Sequence, residues 1–482
     1  MVGVAGRSKG CRTCRQRKKG VSEHAVLPFQ IRRPDLSKCD LQQPICGNCS
    51  RLNITCEYDR RQVFINVTGP GKAERTTFKP SCTDVVLPHS LARSAYEDKY
   101  ISLLWDARSP CGTPSAEISA NYPVYSWVSS ARDLYHDDDG LRRSLIAMSL
   151  STLGQKDGQA YSTAKGFQTY VQALSEVNVS LQHSKRWKSD AIMVASQGLG
   201  LFELLYGTQE RVQADGSQVR SWHNHILGEL ALIQQRGPKS FIEGHAQHIF
   251  SGVRMHLAIA GCMSRKRSFL SDMAWKTVPW AKIPKIPKDV ILDTLTDVPA
   301  LLEEVDILKS NPSDYNCQHF MKTYQRLDRE IVWWLENLSP PTDILHDLHE
   351  RKYKNPTADE LAVAHVMTCF WTVCILVYSS LRAVLSSTLN LPGIEVMELS
   401  ERTNPRPYCL LIADAVEVFF QPEAGTFGMH AAPFPIGMAI KYLMLTEGFS
   451  SKDCMRLIGY FSRQSGGAAM GSFLANTLFV WN

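Results

Sequence analysis

The helical part of this 482-residue chain lacks a catalytic acid pair, a nucleophile constellation and a Gly-rich phosphate loop. Catalysis is therefore not indicated, because the common hydrolytic and transfer chemistries each need one of those sets. Sustained a/d heptads are missing as well, so no coiled-coil dimeriser is expected. Residues 1–10 are basic and hold no apolar stretch; secretion is not suggested, and the sequons at Asn53, Asn66 and Asn178 read as chance matches. Acidic charge is thin at one end. Residues 1–61 carry thirteen Lys or Arg against five Asp or Glu, a net +8 in a chain whose total is +6, which leaves the remainder at −2. Basic charge gathered in one segment points to a polyanion partner, most simply nucleic acid.

What is present is cysteine, and it is concentrated. Six of the fourteen fall between Cys11 and Cys56, as Cys11-x2-Cys14, Cys39-x6-Cys46, Cys46-x2-Cys49 and Cys49-x6-Cys56. A Cys-x2-Cys pair suits zinc because two residues of turn bring both sulfurs to about 2.3 Å from one ion at tetrahedral angles. Six thiolates cannot close two separate four-sulfur sites. They can close two sites when two sulfurs are shared. All positions are then filled by sulfur, which marks a structural site with no place for a reactive water. The eight other cysteines are scattered singly, many in apolar runs such as those of Cys369 and Cys374, and read as buried reduced thiols of a nuclear or cytosolic protein.

The segment from Gly10 to Arg61 resembles the fungal Zn(2)-C6 binuclear zinc cluster. The resemblance rests on the two Cys-x2-Cys pairs, the flanking x6 spacings, the loop Asp40-Leu41-Gln42-Gln43-Pro44-Ile45, and the basic run Arg15-Gln16-Arg17-Lys18-Lys19. It implies two zinc ions held by Cys11, Cys14, Cys39, Cys46, Cys49 and Cys56, with Cys11 and Cys46 bridging. It also implies a nuclear transcription regulator that reads CGG-type triplets in double-stranded DNA. Its further partners would be the transcription machinery or co-regulators, a homodimer is compatible, and no membrane is involved. A charge run ordinarily marks a solvated face, but here Arg12, Arg15, Arg17, Lys18, Lys19 and Lys38 lie between zinc ligands that would fix their direction. Lys18 and Lys19 are the expected base contacts, with Arg15 and Arg17 on phosphates or bases. One departure stands out: twenty-four residues separate Cys14 from Cys39, where the family has six.

The rest of the chain reads as helical, so the expected fold class is mainly α: a small zinc-stapled module over residues 1–62 with an insertion at 20–37, a linker over 63–93, and a large all-helical domain over 94–482. An apolar fraction of 44% supplies its core. Phe167, Tyr170, Val171, Leu174, Val177 and Leu181 recur at helical steps, as do Tyr324, Leu327, Ile331, Trp334, Leu335 and Leu338. Residues 361–381 contain no Asp, Glu, Lys or Arg, long enough for a membrane span, yet His365, Thr368 and Thr372 dilute the run and favour a buried central helix. Between about Leu141 and the C-terminus, the motifs Ser221-Trp222-His223-Asn224-His225, Arg236-Gly237-Pro238 and Pro279-Trp280 resemble the helical regulatory domain that follows the cluster in many fungal transcription factors.

Three other constellations were weighed against plain structural roles. Pro44-Ile45-Cys46-Gly47-Asn48-Cys49 loosely resembles the P-C-x-x-C of zinc deaminases, but His24 is followed by Ala25 and Val26, so the Glu of the required His-x-Glu is missing. Asp137-Asp138-Asp139 suits a helix start better than a magnesium motif, with Asp139 as the expected cap. His223 and His225 would point about 200° apart on a helix, and His245 with His248 lacks a carboxylate at ligand spacing, so both pairs read as structural.

Overall fold

The computed structural model describes residues 45–46, 49–50, 52–56, 89–122, 126–207, 217–341, 343–350, 354–387, 400–462, 471 and 473–474. The chain divides into two compact units, Met1–Val85 and Val86–Asn482. In the second unit the described residues form helices and no strand. In chain order these are α1 (His89–Arg108), α2 (Ala116–Asn121), α3 (Ser126–Leu134), α4 (Asp139–Lys156), α5 (Ala160–Gln182), α6 (Asp190–Tyr206), α7 (Ser217–Arg236) and α8 (Gly244–Ser264). They continue with α9 (Met273–Thr277), α10 (Pro287–Ser310), α11 (Asp314–Leu338), α12 (Asp343–Glu350), α13 (Ala358–Ser387), α14 (Pro405–Ala415), α15 (Gly425–Ala431), α16 (Pro433–Glu447) and α17 (Lys452–Ser462). Helix α1 takes in residues 89–93, which the sequence reading placed in the linker.

Two apolar cores share this unit, and α8 stands between them. Its Ile249, Phe250, Val253, Leu257 and Ala260 enter the core built by α1 and α3 to α7. Its Met255, Ala258 and Cys262, on the other side, enter the core built by α10, α11, α13, α14, α16 and α17. A helix with apolar residues on two sides belongs in such a position. The same logic places α13. Its stretch Ala358–Ser386 is long and apolar enough to cross a membrane, but its most apolar part lies wholly buried inside the unit, as the sequence reading expected. The hydroxyls that dilute its apolarity satisfy themselves: Thr368 Oγ1 donates to the Ala364 carbonyl at 2.8 Å, and Thr372 Oγ1 to that of Thr368 at 2.6 Å. Cys262, Cys369, Cys374, Cys409 and Cys454 are buried and unpaired as disulfides, which agrees with the reading of reduced thiols.

Local chemistry sets the helix ends. Asp138, not Asp139, caps α4: its carboxylate accepts from the Leu141 amide at 2.9 Å, and Asp139 opens the first turn, paired with Arg142. The buried face of α5 also differs from its apolar stripe. Val171 and Leu181 are exposed, while Gly166, Thr169, Tyr170, Ala173, Val177 and Ser180 are buried. Small residues explain the difference. A side chain added at Gly166 would meet Ser151 Oγ at 2.2 Å and the Ala147 carbonyl at 3.1 Å, so α4 and α5 approach through their small positions. On α11, Tyr324, Leu327, Ile331 and Trp334 are buried as expected, and Leu335 is exposed.

One buried acid ties stability to pH. Glu229 of α7 is 3% exposed, neither carboxylate oxygen has a hydrogen-bond partner, and desolvation pushes its pKa up to about 8. The folded state then holds a proton that the unfolded chain releases near its ordinary value of 4.5. Its contribution is complete below that value and is lost as pH rises toward 8. Glu229→Gln, which cannot ionise, is expected to stabilise the helical unit at pH 7 by on the order of 2 kcal/mol and to flatten this decline. Denaturant melts from pH 5 to 8 check it. Parallel stability curves for the two proteins would remove Glu229 as the cause.

Candidate metal centre

The first unit's described residues build half of a thiolate site. The Ser50 amide donates to the Cys46 carbonyl at 2.9 Å, an i to i−4 bond that winds Cys46 and Cys49 onto one helical turn. Asn53 then reverses the chain at φ 50°, a conformation Asn tolerates better than most residues. The Ile54 amide closes back on the Cys49 carbonyl at 3.1 Å. Helical turn, reversal and return together use up the six residues between Cys49 and Cys56. They bring the third sulfur beside the first two.

The sulfurs of Cys46, Cys49 and Cys56 all lie within 4.8 Å of one another, the first two buried and the third half-buried. None is in a disulfide. Tetrahedral zinc with bonds of about 2.3 Å needs sulfurs about 3.8 Å apart, so the triad is drawn together to the right scale. Two backbone amides aim at sulfur: Cys46 N–H at Cys56 Sγ and Cys49 N–H at Cys46 Sγ, each at 3.4 Å. Donors of this kind favour the thiolate over the thiol, which is the form that binds metal. The donor set fits zinc.

Residues 36–63 match the family model of the fungal Zn(2)-Cys(6) binuclear cluster domain. The chain carries a fungal-type zinc-cluster domain. The match takes in Cys39, Cys46, Cys49 and Cys56 and begins at the last two residues of the long insertion. No curated protein and no solved structure matches the chain. A cluster of this family binds two zinc ions, and it makes the zinc-cluster protein a DNA-binding transcription regulator. Bound zinc would tie Cys46, Cys49 and Cys56 together. Cys11, Cys14 and Cys39, with Arg12, Arg15, Arg17, Lys18, Lys19 and Lys38, lie outside the described residues.

Neither histidine pair belongs to a metal-ligand cluster among the described residues. His225 Nε2 lies 3.1 Å from the Tyr170 hydroxyl, and burial lowers its pKa to about 4, whereas His223 lies on another side of α7. His245 Nδ1 lies 3.3 Å from Ser130 Oγ, and His248 is exposed. The sequence reading missed a different cluster in the helical unit. There His256 Nε2 and His430 Nε2 are 2.5 Å apart, Arg108 reaches His430 Nδ1 at 3.4 Å, and buried His365 leaves Nδ1 without a hydrogen-bond partner. No local spacing marks it, since its members come from α1, α8, α13 and α15.

Proposed function

We propose that the zinc-cluster protein binds CGG-type triplets in double-stranded DNA and regulates genes read by RNA polymerase II in the nucleus, with the helical unit contacting co-regulators or sensing an effector. The observation that carries this is the convergence of Cys46, Cys49 and Cys56 within the matched segment. On that scaffold the basic run has a direction. Lys18 and Lys19 donate to guanine O6 and N7, Arg15 and Arg17 contact phosphates or bases, and Arg12 and Lys38 complete the basic surface. Selection from random DNA tests the reading: enrichment of CGG supports it, and no enrichment defeats it.

Lys18→Ala separates the two kinds of contact. A lost base contact costs about 1–3 kcal/mol of discrimination at one guanine. A lost phosphate contact weakens all sequences alike and reduces the salt slope by about one unit. We expect the first result from titrations of matched and mismatched duplexes at several salt concentrations. Unchanged affinity and slope would remove Lys18 from the interface.

A second reading has one observation in its favour. The matched segment starts at residue 36 and leaves Cys11 and Cys14 outside it, across the twenty-four-residue spacer. On this reading the insertion impairs DNA binding, and the chain acts through its helical unit as a protein-interaction or ligand-sensing module.

A further inference from the structure

Helices α10 and α11, with the short α9 and the turn before it, line a groove of about 800 Å³ on the helical unit. Val290, Thr294, Asp297, Ala300 and Glu304 of α10 contribute to it at steps of three and four residues, so one face of that helix runs along the groove. At 1.5 Å per residue this face is about 21 Å long. Thr323, Arg326, Arg329 and Trp333 of α11 and Met273, Lys276 and Thr277 of α9 complete most of the lining. One carboxylate joins all three helices: Asp297 accepts from Lys276 Nζ at 2.5 Å and from Arg326 Nη1 at 2.6 Å. Two further bonds hold α11 to α10, Thr294 to Glu330 at 3.3 Å and Thr323 to Glu304 at 3.0 Å.

By formal count the lining is nearly balanced, five Lys or Arg against four Asp or Glu. Its accessible charge is not. The side chains of Asp297, Glu304 and Asp293 are 5%, 15% and 19% exposed, whereas those of Arg326 and Arg267 are 43% and 62% exposed, and Arg329 is exposed as well. The low-lying acids are already bonded to neighbours: Asp297 as above, Asp293 to Lys285, and Glu304 to His319 and Thr323. Glu330 reaches 37% but is bonded to Arg326. Arg267 meets Asp272 at 3.0 Å in a pair more than half exposed on both sides, which water weakens. Arg329 makes no hydrogen bond or ion pair with the described residues. What reaches solvent along the groove is therefore mainly guanidinium.

The arrangement has a helical period. Arg326, Arg329 and Trp333 follow one another at three and four residues, so two cations and an indole stand a turn apart along α11. Trp333 is 52% exposed, and Met273 of α9 is 69% exposed. Trp and Arg are the side chains that most often carry the binding energy of protein interfaces. The occupant's backbone follows from the lining. Helices keep their own backbone groups in i to i−4 bonds and leave none for a neighbour, so an extended peptide would bury unpaired amides here. A helix brings its backbone already satisfied, and the length of the α10 face suits about four turns of one.

We propose that this groove docks an acidic amphipathic helix of a co-regulator, two Asp or Glu a turn apart on Arg326 and Arg329 and an apolar side chain one turn further on against Trp333. The proposal rests on the co-regulator contact assigned above to the helical unit and makes its chemistry specific. Arginine pairs with carboxylates through two parallel N–H bonds, which fixes the partner's register as well as its charge.

Selection from a displayed library of helix-forming peptides, about four turns long, on the full zinc-loaded chain tests it, followed by anisotropy titrations of the enriched peptides. Enriched peptides are expected to carry two acids three or four residues apart with Leu, Ile, Met or Phe at the next turn, and to bind more weakly as salt rises. Arg329→Glu should weaken them by about tenfold or more, and Trp333→Ala by about threefold or more. Both side chains are exposed, so the melting temperatures of the two variants should match the parent's. A peptide whose acids are changed to Lys should prefer Arg329→Glu to the parent, which a loss of folding cannot mimic. An empty selection overturns the proposal, as do enriched peptides that lack acids or that ignore both substitutions. Inorganic phosphate that binds through Arg329 more tightly than the peptides would make this a simple anion site and also overturn it. Failure of CGG selection leaves these outcomes standing, and a groove that takes no acidic helix leaves the DNA reading intact, so the two readings fail separately.

Discussion

Zinc removal is expected to dismantle the N-terminal unit and abolish specific DNA binding while leaving the helical unit folded. Three sulfurs within 4.8 Å of one another are held at that distance by a helical turn, a reversal at Asn53 and two weak N–H to sulfur contacts. Those contacts are slight beside the metal, whose binding contributes about 10–16 kcal/mol of folding free energy in zinc-finger peptides. The helical unit has two apolar cores of its own and contains no part of the cysteine cluster. Metal analysis should give two zinc ions per chain. A strong chelator should release both, preserve most of the helical circular dichroism, and reduce affinity for a selected site by about 10³ or more, to the non-specific level. Cys46→Ala should act like the chelator if its sulfur bridges both ions, because one loss then opens both sites. One zinc per chain that survives Cys11→Ala unchanged would contradict the shared-sulfur cluster.

The features legible in the sequence are those whose geometry is local. Cys46, Cys49 and Cys56 could be read directly, because the ligand spacing itself encodes a turn and a return. The burial of α13 was legible for a similar reason: twenty-one residues without Asp, Glu, Lys or Arg, with hydroxyls that bond back along the same helix, leave little else to do in a soluble core. Asp138 and Asp139 were nearly right, since either can cap and the choice depends on where the helix axis starts. Val171 and Leu181 misled because apolar periodicity reports side-chain size and not close approach. The α4–α5 contact runs through Gly166, Ser151 and Ala147, which carry no strong apolar signal. The Arg108 and histidine cluster was invisible altogether. Its members are single residues, with Arg108 and His430 separated by 322 positions, and only the packing of α1, α8, α13 and α15 makes them neighbours.

Deleting residues 20–37 is expected to raise affinity for CGG-bearing duplexes by at least tenfold. The deletion joins Arg15-Gln16-Arg17-Lys18-Lys19 directly to Lys38-Cys39 and restores the six-residue spacing of the family. Lengthening that spacer from six to twenty-four residues is two doublings, which costs only about 1.2 kcal/mol of closure entropy. Zinc can therefore still recruit Cys39. Direction is the larger matter. The basic run would be aimed by ligands at its two ends, and a spacer four times longer, with Leu27-Pro28-Phe29 and Pro34 inside it, would leave its second end less firmly fixed. Each base contact restored is worth about 1–3 kcal/mol, so recovering one or two outweighs the entropic part. Eighteen codons is also the length of a short intron, and every Val codon, that of Val21 included, begins with the donor dinucleotide GT. We read residues 20–37 as a retained intron, with the shorter message encoding the stronger DNA binder. Titrations of both proteins on the same duplex, with sequencing of transcripts across the region, decide it. If every message contains the eighteen codons and the full-length chain binds CGG sites as tightly as the deletion variant, the long spacer belongs to the working protein and the recognition surface tolerates it.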